Sequence, residues 1–309
     1  MKVVRELFYY VFSVTLIAAH GLCLPRDAAA DRVIAADENK ISIAVSISPQ
    51  AYFLKKISGE WINCLVLIPS GANHDVVETT ISQARALAKA KTLFSIGHPN
   101  YVGERTWIER LKEIAPNLVI VPVLSVSDFN ADDIHVWTSP ILMEKMVQIM
   151  GDEMGRMLPE HRDELAERTK FAVQEIRSVS SDIHAQLDSY RGEHFLVLHP
   201  SWGYFAMEYG LRQLAIETDE KEPGPGQLRE LVREARNAGI GWVYADRGYS
   251  ASSIAPISEA LSLKSETVDV LAENWPAEMR RMGSLLLEEF SGRTLNRRNS
   301  QKVGSSGGK

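Results

Sequence analysis

The sequence predicts an α/β fold of two Rossmann-like lobes with mostly parallel sheets, joined by one long rigid helix, with a cleft between the lobes. Three observations carry this expectation. Short β-branched runs alternate with longer amphipathic stretches from Ile41 onward, the second half repeats the arrangement, and a long segment free of helix breakers separates the halves.

In the first half, Ile41–Ser46, Cys64–Ile68, Thr92–Ile96 and Leu118–Val121 read as strands, with helices over Gln50–Ser58, Ile81–Ala90 and Thr106–Ile114 between them. The second half offers the strands Phe195–Leu198, Leu214–Ile216, Trp242–Ala245 and Glu266–Val268. From Pro159 to Tyr190 no Gly or Pro follows the start, and Leu165, Ala172, Ile176, Val179, Ile183 and Leu187 recur at helical spacing. A single rod is the reading. The alternative is a break near Ser178–Ser181, where three serines weaken helical propensity. The resulting division is a leader over residues 1–30, an N-terminal lobe over 31–158, a linking helix over 159–191, a C-terminal lobe over 192–291 and a disordered tail over 292–309. The tail is polar, basic and rich in Gly and Ser, a composition that buries too little apolar surface to order itself.

The leader has a basic start (Lys2, Arg5), an apolar core from Leu7 to Ala19 and a small-residue cleavage site at Ala28-Ala29-Ala30, which predicts export with cleavage. The apolar run is shorter than the ~20 residues that span a bilayer. Cys23 is not preceded by the pattern that lipid attachment uses, so a soluble, periplasmic product is expected. Removal of the leader makes the formal charge of -6 one unit more negative and leaves Cys64 as the remaining cysteine, flanked by apolar residues as in a buried strand, an inert thiol. Among 309 residues, 45% hydrophobic and 24% charged, the Lys and Arg residues form no stripe, so nucleic acid is excluded as a partner.

The chemistry-bearing residues sit after strands or at loop–helix junctions, where side chains converge outside the carboxyl ends of a parallel sheet. His74 follows the strand ending at Ile68, His135 lies in Asp132-Asp133-Ile134-His135-Val136-Trp137, His199 closes the strand Phe195–Leu198, and Asp269 ends the last strand. Imidazoles suit borderline-soft divalent metals, and a carboxylate completes a tetrahedral shell around zinc. Taken singly each signal is weak, because an isolated His is more often structural. Gly224-Pro225-Gly226 lacks the Lys of a phosphate loop and reads as a turn before a helix. Ser201 lacks the Gly of a nucleophile elbow. His98 and His194 read as surface or loop residues, and Trp202, Tyr204, Phe205 and Tyr209 as core.

The string His199-Pro200-Ser201-Trp202-Gly203-Tyr204-Phe205-Ala206, with Tyr209-Gly210-Leu211, resembles a metal-ligand motif of the zinc and manganese solute-binding proteins that serve bacterial ABC transporters. Asp133-Ile134-His135-Val136-Trp137 resembles the second motif of that family, Lys221-Glu222-Pro223 the segment after its third, and Asp269-Val270-Leu271-Ala272 its fourth. The resemblance covers residues 41–290. It implies one metal in the cleft between two lobes, held by His74, His135, His199 and Asp269, and delivery to a membrane permease by a monomer that is not an enzyme. Departures accompany it. An ungapped match puts Asp75 rather than His74 at the first ligand position, with Glu78 beyond it. Ile134 replaces a Pro, Thr138-Ser139 replaces Leu-Asp, and the loop Ser125–Ala131 is short and offers only Asp128 as a ligand. Asp246 falls where relatives carry Glu or Gln, a supporting or alternative ligand. Three nitrogens and one carboxylate favour Zn2+, whereas a carboxylate-rich shell favours Mn2+. The alternatives are a manganese or iron protein, or a secreted metal-dependent hydrolase using Glu78 or Asp246 in the same cleft. An adhesin is a third reading, for which no surface anchor is visible.

Overall fold

The structure, a computed structural model, describes residues 40–306 apart from 74–80, 129–132, 218–223, 250–257 and 260–261. The leader, His74, Asp75, Glu78 and the Lys221-Glu222-Pro223 segment lie outside the described residues.

The first lobe comprises β1 (Ile41–Ile47), α1 (Ser48–Ser58), β2 (Ile62–Ile68), α2 (Ile81–Leu87), β3 (Thr92–Ser95), α3 (Val102–Ile114), β4 (Val119–Pro122) and α4 (Pro140–Met157). The second comprises β5 (His194–Val197), α6 (Gly203–Glu208), β6 (Arg212–Ala215), α7 (Pro225–Ala238), β7 (Trp242–Asp246), β8 (Lys264–Val268) and α8 (Trp275–Ser306). Between them runs α5 (Arg162–Leu187), an unbroken rod through Ser178–Ser181 with a 3-10 turn at each end.

Both sheets are parallel throughout and share one topology, β2-β1-β3-β4 and β6-β5-β7-β8. In each, the first strand of the lobe has neighbours whose connections leave in opposite directions. A crevice therefore opens at the carboxyl ends between β1 and β3, and again between β5 and β7. All eight strands fall where the sequence pattern places them, because β-branched runs covered on both faces show little else.

Alternation along β5 divides the second lobe's interior. Phe195 and Val197 join the main core, whereas Leu196 and Leu198 join a smaller cluster that includes Ala235 of α7. The main core is continuous from Ile43 of β1, through Leu165, Ile176, Val179 and Ile183 of α5, to Met282 and Phe290 of α8. Two tryptophans cross between the lobes. The Trp137 indole donates to the Val270 carbonyl at 3.0 Å, and the Trp275 indole donates to the Trp137 carbonyl at 2.7 Å.

The tail boundary differs from expectation. α8 continues through Gly292, and Arg293 is buried, pairing with Glu289 one turn earlier and donating to the His194 carbonyl at 2.6 Å. Glu289 also accepts from the Gly241 and Trp242 amides, each at 3.1 Å, and from the Tyr244 hydroxyl at 2.9 Å. A basic residue that reads as solvated tail is the internal partner of a carboxylate that caps the start of β7.

Candidate metal centre

His135 reaches the cleft on a segment fixed by its own backbone. Its carbonyl accepts from both the amide (3.0 Å) and the hydroxyl (2.9 Å) of Thr138, and Ser139 caps α4 by accepting from the Leu142 amide at 3.3 Å, with Pro140 in the first turn. Thr138 and Ser139, which depart from the family pattern, thus fix this loop and start α4. Asp133 holds the ring: one carboxylate oxygen accepts from the His135 amide at 2.9 Å and from Nδ1 at 2.8 Å. With Nδ1 donating, the tautomer is set and the Nε2 lone pair becomes the metal-binding one.

His199 is arranged in the same way from the opposite lobe. It follows β5, and its Nδ1 donates at 3.2 Å to Glu217, which follows the neighbouring strand β6. Tyr249 stacks on its ring with centroids 5.0 Å apart. The two imidazoles lie edge to face, centroids 5.2 Å apart. Both histidines are buried.

Asp246 ends β7, so it faces His199 across the crevice between β5 and β7. It is buried, accepts from the Ser201 hydroxyl, and accepts from the Val270 amide at 3.3 Å. Burial pushes its carboxyl up to about 6, while the Ser201 bond and the charges that His199 and His135 can carry pull in the other direction. The first lobe has a counterpart at its own crevice: Glu104 is buried beneath β1 and β3, accepting from Ser46, from the Ile96 amide at 2.7 Å and from the Gly97 amide at 2.9 Å.

Asp269, after β8, is nine-tenths buried. It accepts from the Ser70 hydroxyl of the first lobe at 2.5 Å and from the Leu271 amide at 3.0 Å, and the Arg247 guanidinium stands 3.8 Å away. Among the described residues no three His, Cys, Asp or Glu side chains already converge as a cage. His135 and His199 come together, Asp246 acts on both electrostatically, and Asp269 is engaged by Ser70 of the other lobe.

Several expectations resolve here. Asp128 is committed to Lys145 at 2.5 Å and to the Ser125 amide and hydroxyl, with its carboxyl held below the usual range chiefly by Lys145, so it is a loop brace. His98 lies in the loop after β3 but is fully buried, its Nδ1 accepting from the Asn100 amide at 3.1 Å; a loop leaving a central strand starts inside the protein. Trp202, Tyr204, Phe205 and Tyr209 are core. Sequence reasoning missed Glu217, whose only signal is the adjacency of β5 and β6, and Ser70, whose partner is in the other lobe. Asp133 was visible as the residue two before His135.

Two parallel α/β lobes, a rigid connecting helix and paired imidazoles from opposite lobes define a solute-binding protein with a metal-type donor set in its cleft. Residues 43–283 match the family described as ZnuA, zinc-uptake complex component A, periplasmic, and the chain belongs to that family. It is 26% identical to a ZnuA of known crystal structure, with a TM-score of 0.74 over 81% of this chain and 99% of that one. The periplasmic zinc-binding protein TroA of Treponema pallidum shares the fold at 14% identity, with a TM-score of 0.73 over 81% and 99% of the two chains. Among curated relatives, zinc-binding lipoprotein AdcA of Streptococcus pneumoniae (strain ATCC BAA-255 / R6) is 21% identical over 76% of this chain and 50% of its own length. A putative metal-binding protein of Thermotoga maritima is 22% identical over 75% and 85%. The chain spans about half the length of AdcA. Members of the family are solute-binding proteins rather than enzymes, which sets aside the hydrolase alternative.

Proposed function

We propose that this chain is an exported, periplasmic solute-binding protein that captures a divalent transition metal in the interlobe cleft, zinc in preference to manganese, and passes it as a monomer to an ABC permease. The observation that carries the reading is the meeting of His135 and His199 from opposite lobes, each oriented through Nδ1 by its own carboxylate, Asp133 or Glu217. Buried imidazoles with carboxylate partners are the arrangement that raises ligand basicity and suits zinc. His135, His199 and Asp269 are three of the proposed ligands and His74, or its neighbour Asp75, the fourth; Asp246 supplies negative charge that offsets part of the cation's. Export is supported by the leader pattern and by the family's periplasmic description.

Because the ligands bind metal deprotonated, affinity falls as the solution is made more acidic. The test is native mass spectrometry of the mature protein equilibrated with zinc, manganese and iron in competition. One zinc per chain is expected, lost in His135→Ala and in His199→Ala. Undiminished binding by both variants would sink the reading.

A further inference from the structure

The tight turn that follows β7 holds a cation against the candidate metal ligand Asp269. Arg247 donates its amide to the Val268 carbonyl at 2.8 Å, and the Tyr249 amide returns to the Asp246 carbonyl at 3.0 Å, so the turn is fixed to its own sheet. It lies close against the other lobe as well. A Cβ built on Gly248 would fall 2.5 Å from the Ala72 carbonyl oxygen and 3.0 Å from the Asn73 nitrogen, so only glycine permits this backbone approach. The Arg247 stem lies along Gly71, whose φ of +75° also requires glycine, with Cδ 3.1 Å from where a Cβ would stand. From this fixed base the guanidinium reaches to 3.8 Å from Asp269 Oδ2, the same oxygen that accepts from Ser70.

The two partners of that oxygen differ in what they do to an arriving cation. The Ser70 hydroxyl is neutral. Arg247 is positively charged, and a divalent cation on Asp269 must stand close to it. The Arg247 side chain is 66% exposed, so the pair is screened by solvent and weak. It is weak enough to exchange for a metal ion.

We propose that Arg247 is the internal counter-ion of Asp269 in the metal-free protein: capture exchanges the guanidinium for the metal ion, and the return of the guanidinium speeds release. Arg247 is thus a positioning residue that sets how long the metal stays. The proposal rests on Asp269 as a metal ligand. It does not require Arg247 to touch the metal.

The test compares Arg247→Gln, Arg247→Lys, Asp269→Asn and the Asp269→Asn/Arg247→Gln double variant in the full mature chain, with zinc as the probe. Affinity is read by competition with a chromophoric chelator, release by stopped flow, and folding by far-ultraviolet circular dichroism. Arg247→Gln is expected to hold zinc roughly three- to tenfold more tightly, chiefly through slower release, as loss of a screened like charge implies. Arg247→Lys, which keeps the charge, is expected to match the parent. In the Asp269→Asn background the Arg247 effect is expected to vanish, since coupled residues are not additive. Unchanged or weaker binding in Arg247→Gln overturns the proposal, as does tightening that persists without the Asp269 carboxylate. If Asp269→Asn alone binds zinc as the parent does, it is the ligand assignment of Asp269 that has failed, and the proposal falls with it.

Discussion

The imidazoles of His135 and His199 meet edge to face with their centroids 5.2 Å apart, one carried by each lobe. The cleft therefore brings two nitrogen donors close together, and removing either takes away one donor to a bound ion. We expect His135→Ala and His199→Ala each to reduce zinc affinity by more than the roughly 10–100-fold that loss of an orienting partner costs. The rise in melting temperature produced by saturating zinc should shrink correspondingly, because that rise follows ligand affinity. Full thermal stabilisation of either variant would count against the pair as ligands.

The partners of these rings give a second expectation. Asp133→Asn and Glu217→Gln keep the side-chain shapes but remove the charge that fixes the tautomers, and each should weaken zinc binding roughly 10–100-fold. Gly203 tests the same device from the facing lobe, since a Cβ there would collide with the Asp133 carboxylate. Gly203→Ala is expected to weaken zinc binding with little change in metal-free melting. Titration against a competing chelator reads all three, and unaltered affinity across the set would show that ring orientation is immaterial.

Asp246 should show opposite signs in two measurements. Burial raises its carboxyl to about 6, so the folded chain binds the proton more tightly than the unfolded one. That contribution to stability is complete below the ordinary carboxylate pKa and is lost as pH rises through about 6. Asp246→Asn has no such loss, and its amide can donate to the Ser201 hydroxyl while its carbonyl accepts from the Val270 amide. The advantage of the metal-free variant over the parent should therefore grow between pH 5 and pH 8, by about 1–2 kcal/mol. Zinc affinity should fall, because the negative charge beside both imidazoles is gone. Melting curves at the two pH values decide the first half, and an equal loss of stability at both would reject it.

Cys64 provides a check on burial in the first lobe. It sits in β2 against the main core, and burial pushes its thiol up to about 12. At pH 8 the thiolate is therefore far scarcer than in an ordinary cysteine. Iodoacetamide should label the native protein slowly and the denatured protein at the normal rate. Rapid labelling of the native fold, followed by mass spectrometry, would contradict this.

The strands were legible because β-branched runs buried on both faces carry a strong signal, and α5 because its apolar residues keep helical spacing without a breaker. The ends of elements were less so. Arg293 reads as tail by composition, yet its place is set by Glu289 on the preceding turn and by the starts of β5 and β7, central strands distant in sequence. His135, His199, Asp246 and Asp269 could be picked out from their positions after strands or before a helix. Which carboxylate orients His199 could not, since that depends on β6 lying beside β5 and bringing Glu217 to the ring. Asp128 shows the converse: a lone carboxylate in a short loop looks like a ligand until Lys145 of α4 is seen to hold it.

The apolar interior that passes without interruption through α5 has a consequence for how the molecule comes apart. Leu165, Ile176, Val179 and Ile183 belong to neither lobe alone, and stripping one sheet away would expose the helix face that supports the other. Each lobe is thus a poor independent folding unit. Heat or denaturant should take the two down together in one cooperative transition rather than in sequence.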